Sequence, residues 1–344
     1  MFDVDWGLES PASAILPPGQ RTLGHLIEEY KADRVSGYRK LRYATRVNHD
    51  NIMVRMVAAY GHLRLSEIKA RTLHEMHLHW SQDGKKLAMA HSFMAKLRAL
   101  VGYGASFLDD PDCTRLCVAL GHRRDAQAGE KNQEYLTYEQ AVAIRNMARE
   151  IGYFSIALAQ AMQFETLIRQ KDAIGEWVPL SEPGDGAVAL GDKKWQRGII
   201  WEEINQDLIL DHVTSKKQKR LVIPLHLSPM TMEEFWHVPD WQHDAGGPVI
   251  VCEYTSYPWD PSDFRRRWRT IADLCGVPKS VKQMHSRSGG ISEGIKLGVP
   301  MEFMRHAALH SDLQTTAGYD RAKDELAAEA LRRRVAGRNA EVAA

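Results

Sequence analysis

The sequence predicts a mainly α protein with a small β-sheet, arranged as an all-helical domain followed by a mixed α/β domain. Three observations predict it. Apolar residues recur at helical spacing through the first third of the chain; the run GHRRDAQAGEKNQE, 121–134, then has no apolar residue larger than alanine; and two β-prone runs flank the basic turn SKKQKR in the second half. With 344 residues, 44% hydrophobic and 26% charged, the chain can bury the cores of two domains, whereas one domain of this size is unusually large.

Taken in order, residues 1–20 are rich in Pro, Ser and Gly and read as a flexible arm. Leu23, Leu26, Ile27 and Tyr30 form the first apolar stripe, and Val47, Ile52, Met53, Met56, Val57 and Tyr60 the second, which stops at Gly61, a residue suited to ending a helix. Further helices are expected around 66–80 and 86–107, completing a helical domain over 21–122. A linker over 123–134 leads to a second domain, 135–344, which starts with the amphipathic LTYEQAVAIRNMARE and a helix over 153–172. GIIWEEINQDLILDHVTSKKQKRLVIPL predicts a two-stranded hairpin with a positively charged tip. Helical patterns return at 261–275, 287–297 and 300–309, and in an Ala/Arg/Glu-rich tail from 322.

Bulk charge decides little. Lys plus Arg number 45 against 44 Asp plus Glu, so any argument for a nucleic-acid partner has to come from local clusters. The cysteines, Cys113, Cys117, Cys252 and Cys275, include no C-x-x-C pair and are too sparse for a disulfide framework. The first residues lack the pattern of a signal peptide, and no stretch approaches the ~20 apolar residues of a membrane span. The expectation is a cytoplasmic protein with no membrane partner.

The stretch HAALHSDLQTTAGY, 306–319, sets His306 and His310 four apart, on one helix face. A helical His-x-x-x-His can bind zinc, but a catalytic site needs a third ligand and HAALH lacks the glutamate of H-E-x-x-H; a metal site and a purely structural role for both histidines stay open on these residues alone. Other candidates are basic: Arg169 in FETLIRQKDAIGE, at the polar edge of an apolar helix; Lys216, Lys217, Lys219 and Arg220 in the hairpin; His285 and Arg287 in KQMHSRSGG. Singly, each reads as a solvated charge. Their order along the chain is what carries information.

Arginine, hairpin lysine, arginine, histidine and tyrosine, in that order, resemble the tyrosine recombinase (phage integrase) family over most of the chain. The matching pieces are TLIR, TSKKQKRLVIPL, MHSRSGGISEGIKLGV and PMEFMRHAALHSDLQTTAGY. The resemblance implies a helical core-binding domain ahead of a mixed α/β catalytic domain, with catalytic roles on Arg169, Lys216, Arg287, His310 and Tyr319. Tyr319 would form a 3′-phosphotyrosyl link in duplex DNA carrying a specific recombination site, with no cofactor. It also implies a bacterial or phage-encoded homo-oligomer, a tetramer on DNA, with the C-terminal tail as an oligomerisation helix.

The chemistry explains the residue types. Attack of a phenol oxygen on a phosphodiester builds negative charge that two guanidinium forks can bind bidentately. A phenol of pKa ~10 needs its proton removed or its anion stabilised, and the leaving 5′ oxygen needs a proton, for which Lys216, or its neighbour Lys217, is the candidate general acid. His310 would contact a non-bridging oxygen, and His306 is assigned a structural role. Asp172 stands where it would orient Arg169, or else is a helix-surface carboxylate.

Three departures from the family pattern stand out. Met284 occupies the position of the usual histidine three residues before Arg287, with His285 one place later as the alternative. Leu309 replaces the glycine usual before His310. Arg169 and Lys216 are about twice as far apart as in compact relatives, which marks EWVPLSEPGDGAVALGDKKWQRG as an insertion. DNA contacts are expected from Arg39, Lys40, Arg42 and Arg46 in RVSGYRKLRYATR, from Lys217, Lys219 and Arg220, and from Arg265 and Arg266 in RRRWR. Rival readings are a recombinase-like protein that binds DNA without cutting it, a single-protomer cutter of the type IB topoisomerase or telomere resolvase kind, and a zinc hydrolase built on HAALH.

Overall fold

The computed structural model describes residues 19–123, 134–239, 246–320 and 331–336. Most of the expected arm and linker, and all of the C-terminal tail except the helical 331–336, lie outside the described residues. The chain divides into two compact units, Met1–Lys131 and Asn132–Ala344.

The first unit is helical. Helix α1 (Leu23–Ala32) starts where the Thr22 hydroxyl accepts the His25 N–H, and it buries Leu23, Leu26, Ile27 and Tyr30, the whole predicted stripe. Helix α2 (Tyr43–Tyr60) buries only Met53 and Met56 of its stripe, while Val47 and Val57 are exposed. Helices α3 (Ala70–Ser81), α4 (Leu87–Phe107) and α5 (Pro111–Gly121) complete the unit; α5 starts with Pro111 behind the Asp110 cap, an arrangement in which the missing proline N–H costs nothing. Phe93, Leu97 and Leu116 meet Leu26 and Met56 in its core, each such burial contributing ~1.5–3 kcal/mol.

The second unit is organised around one buried helix. Helix α6 (Tyr138–Glu150) opens with a Thr137–Gln140 capping box, and α7 (Phe154–Glu165) is buried at every position from Ser155 to Phe164. The expected helix over 153–172 is corrected here: α7 stops at Glu165, Leu167 is left-handed at φ 57°, and a separate helix α8 (Gln170–Ile174) follows. The Thr166 hydroxyl bonds back to the Met162 carbonyl at 2.6 Å. Because α7 is buried on all sides, periodicity held no sign of its end.

Strands β1 (Glu176–Pro179), β2 (Val188–Leu190) and β3 (Lys193–Gln196) make an antiparallel sheet of order β1-β3-β2. The segment marked as an insertion is therefore packed structure, anchored by the buried Trp195, whose indole N–H donates to the Ile174 carbonyl at 2.9 Å. Strands β4 (Ile209–Val213) and β5 (Arg220–Pro224) form the expected hairpin, in register from Ile209 against Pro224 to Val213 against Arg220.

Helices α9 (Pro229–Phe235), α10 (Pro261–Leu274), α11 (His285–Lys296), α12 (Met301–Ala307) and α13 (Leu313–Ala317) follow. Helix α11 lies in backbone contact with the end of α7. A Cβ on Gly290 would stand 2.1 Å from the Phe164 carbonyl oxygen, and one on Gly289 2.0 Å from that of Leu136, so only the Gly-Gly pair permits this approach. No helix among the described residues is long and apolar enough to cross a membrane.

Candidate active site

That close approach sets Arg287, in the first turn of α11, beneath the break after α7. Its guanidinium donates to the carbonyls of Leu167 and Ala308, and Nη2 also reaches Nε2 of His310 at 3.3 Å. The backbone turns sharply beside each carbonyl: Leu167 (φ 57°) and Leu309 (φ 49°) are both left-handed, a conformation costing a branched L-residue ~1–2 kcal/mol. Leu309 thus adopts the backbone that the expected glycine would adopt without strain. An arginine has five donors, and with three engaged here the Nε–H and one Nη1–H remain for a ligand.

Arg169 caps α8 rather than lying on the edge of a longer helix. Its Nη1 stands 3.7 Å from Oδ2 of Asp172, while Oδ1 of that carboxylate accepts the Ser215 N–H at 2.6 Å. Asp172 is fully buried, which overturns the surface-carboxylate alternative; it links the first arginine to the base of the lysine hairpin. The two arginines feel each other. Burial, and then the charge of Arg169, pull Arg287 down to about 10.

His310 is buried, and burial followed by the charges of Arg287, Arg169 and Lys217 pushes it down to about 4, against an opposing pull from Asp312. It is neutral at physiological pH. Since arginine only donates, Nε2 is the acceptor in the contact with Arg287, and Nδ1 carries the proton and donates to the buried Thr316 hydroxyl at 2.9 Å. The Tyr319 ring stacks on His310 with centroids 5.4 Å apart and planes 14° from parallel. Its carbonyl accepts from Ser292 Oγ at 2.8 Å, and its side chain packs beside Leu167, Ile291 and Met304.

The structure separates the hairpin cations. Lys216, Lys217 and Lys219 are all exposed, and Arg220 is paired with Asp211 across the hairpin. Lys217 Nζ donates to Ser311 Oγ at 3.0 Å, next to His310. His285 is buried, with Nδ1 accepting the Lys282 N–H at 3.1 Å, while Met284 is 67% exposed. His306 is a surface residue, 3.0 Å from Glu302.

Of the other expected DNA contacts, Arg39 and Lys40 are exposed on a short turn, Arg42 is half-buried, and Arg46 donates to the Leu41 carbonyl at 2.6 Å. Arg265 is exposed, and Arg266 pairs with Asp263. Arg269, in the same basic run, is committed to the carbonyls of Val277 and Val281 and shapes the loop ahead of α11. Among the described residues no group of three or more His, Cys, Asp or Glu could hold a metal ion. Sequence reasoning missed Ser215, Ser292, Ser311 and Thr316. Of these only Thr316 had a signal, in the Thr-Thr pair before the tyrosine.

By sequence, no protein-family model and no curated protein matches the chain. Solved structures do. A lambda integrase dimer bound to a COC′ core site is similar at TM-score 0.66 and 16% identity, covering 87% of this chain and 95% of that one. The fold is that of the tyrosine recombinases. A Tn1549 transposon integrase in complex with circular intermediate DNA gives TM-score 0.61 at 11% identity, over 89% of this chain and 99% of that one. A lambda integrase tetramer bound to a Holliday junction gives 0.63 at 16% identity, over 87% and 78%. On this fold the arginine, lysine, histidine and tyrosine boxes named from the sequence all lie in the second unit.

Proposed function

We propose that the protein is a site-specific tyrosine recombinase, breaking and rejoining duplex DNA through a covalent link to Tyr319. The observation that carries this reading is the stack of Tyr319 on His310 beside Arg287, with Arg169 close enough to depress both Arg287 and His310. A phosphodiester entering this cluster meets the two free donors of Arg287 and the charge of Arg169. The Tyr319 oxygen gives its proton to solvent and attacks phosphorus, the P–O5′ bond breaks, and the 5′ oxygen leaves with a proton from the hairpin. Both cations stabilise the charge that develops on the non-bridging oxygens. The phosphotyrosyl bond conserves the energy of the broken one, and a 5′ hydroxyl from a partner strand reverses the step.

The resemblance assigns the general acid to Lys216, whereas the contact with Ser311 favours Lys217. Homo-oligomerisation on DNA, as a tetramer, belongs to the same reading and is supported by the fold shared with the tetrameric lambda complex. The test is covalent trapping on nicked duplexes tiled across the DNA flanking the gene. Wild type is expected to give a protein–DNA adduct and Tyr319→Phe none, with unchanged DNA binding. One observation favours a second reading, a DNA binder that no longer cuts: Met284 faces solvent where the family has a histidine, and His285 is turned inward. DNA binding without adduct on every duplex would establish that reading instead.

A further inference from the structure

The second unit spends buried polar groups at one place where apolar packing would have served for stability alone. Gln160 and Gln163, three residues apart on α7, and Gln283 and Ser286, three residues apart at the start of α11, are all essentially inaccessible to solvent. One oxygen, Oε1 of Gln160, accepts the Trp268 indole N–H from α10 at 2.8 Å and faces the Ser286 hydroxyl at 3.0 Å, whose single proton is shared between it and the Gln283 carbonyl at 2.9 Å. One turn along, Nε2 of Gln283 donates to Oε1 of Gln163 at 2.6 Å, and Nε2 of Gln163 donates to the Ala159 carbonyl at 3.0 Å.

From this geometry we infer that Gln160 is a positioning residue for Arg287, acting through Ser286; the inference rests on the recombinase reading of the site. Two tethers of matching spacing join the same two helices, and the residue after the second tether is Arg287. Apolar contacts between α7 and α11 would leave rotation about the α11 axis governed by soft dispersion forces. Paired hydrogen bonds in a dry interior are directional and fix it. The network is not satisfied for its own sake: Nε2 of Gln160 and Oε1 of Gln283 are buried without a hydrogen-bond partner, each a burden of ~1–3 kcal/mol. A core selected only for stability would hold a leucine or methionine there. The direction in which the Arg287 guanidinium meets the Leu167 and Ala308 carbonyls, and so where its two remaining donors aim, is set one residue away from Ser286.

The test compares Gln160→Met and Ser286→Ala with Trp268→Phe, which opens a larger gap in the same core but leaves the Gln160–Ser286 bond intact. Each protein is assayed for duplex affinity and for the single-turnover rate of adduct formation on saturating nicked duplex. Gln160→Met and Ser286→Ala are expected to lower the rate about tenfold at affinity within twofold of wild type, a displacement of reacting groups well under 1 Å being sufficient. Their combination should be no slower than the slower of the two alone, since the Gln160–Ser286 bond is already absent in each. Trp268→Phe should melt at a lower temperature yet react at the wild-type rate. The inference is overturned if Trp268→Phe slows the reaction as much as the other two, if the loss falls on affinity, or if the two losses multiply. Absence of adduct from wild type overturns the recombinase reading as well, whereas a reactive wild type with unaffected Gln160→Met overturns this inference alone.

Discussion

Arg287 and the lysine hairpin are held in opposite ways. The guanidinium is half-buried, spans two backbone carbonyls and a histidine, and sits on a helix locked to α7 by glycine contacts and buried amides. The hairpin lysines are exposed on a two-stranded ribbon, and among the described residues one hydrogen bond, from Lys217 to Ser311, joins their side chains to the cluster. On the proposed recombinase reading, the difference fits the work each would have to do. Stabilising charge on a phosphate rewards dipoles and cations already in place, because nothing has to reorganise as the charge develops. Delivering a proton to a leaving oxygen requires only that an acid arrive once the substrate is seated, so the hairpin can be loosely held.

Breaking the rigid side of this comparison should have the largest effect. Arg287→Ala is expected to lower the rate of adduct formation by roughly 10²–10³-fold or more at saturating DNA, with a small change in affinity, measured in single-turnover trapping. The exposed side is read by leaving-group chemistry. Removing the general acid, Lys216→Ala or Lys217→Ala, should slow cleavage by roughly 10²-fold on an ordinary duplex. The loss should disappear on a duplex carrying sulfur at the scissile 5′ position, a leaving group that needs no proton. Whichever variant is rescued identifies the acid; rescue of neither would show that the hairpin does not supply it.

A smaller effect tests the neutral state of His310. Its folded pKa of about 4 lies below the ordinary imidazole value of 6.5, so below 6.5 the unfolded chain binds the extra proton first. The His310 contribution to stability should fall as pH drops from 6.5 towards 4 and be level above 6.5, and His310→Gln should flatten that part of the slope in chemical denaturation.

The smallest expected effect sharpens the comparison from the first unit, where Lys96 is a buried cation without the carbonyl cradle that Arg287 has. Its Nζ stands 2.6 Å from His49 Nδ1 and 5.5 Å from the centre of the Tyr30 ring, and burial pulls it from 10.5 to about 8. The unfolded chain therefore holds that proton more tightly, so stability should rise with pH between 8 and 10.5, and Lys96→Met should remove that rise. A melting curve that stays level across this range in wild type would show that Lys96 is solvated.

Much of this was legible in the sequence, for identifiable reasons. The α1 stripe was legible because one of its faces is wet, and the β4–β5 hairpin because a polar turn separates two β-prone runs. The order of Arg169, the hairpin lysines, Arg287, His310 and Tyr319 was legible because phosphoryl chemistry restricts which residue types can serve. The end of α7 was hidden because a helix buried on all sides has no period to interrupt. Whether Lys216 or Lys217 faces the cluster depends on the turn at 214–219, where a one-residue shift reverses side-chain direction without changing composition.

The sequence by itself determined the helical periods, the glycine pair that lets α11 approach α7, and the inventory of cations, histidines and tyrosine. Tertiary structure alone decided that Asp172 is buried, that His285 faces inward, and that one oxygen of Gln160 joins two helices to α7. The physical reason is range: periodicity and turn chemistry act between neighbours in the chain, whereas burial and hydrogen-bond direction depend on groups more than a hundred residues apart, such as Gln160 and Ser286.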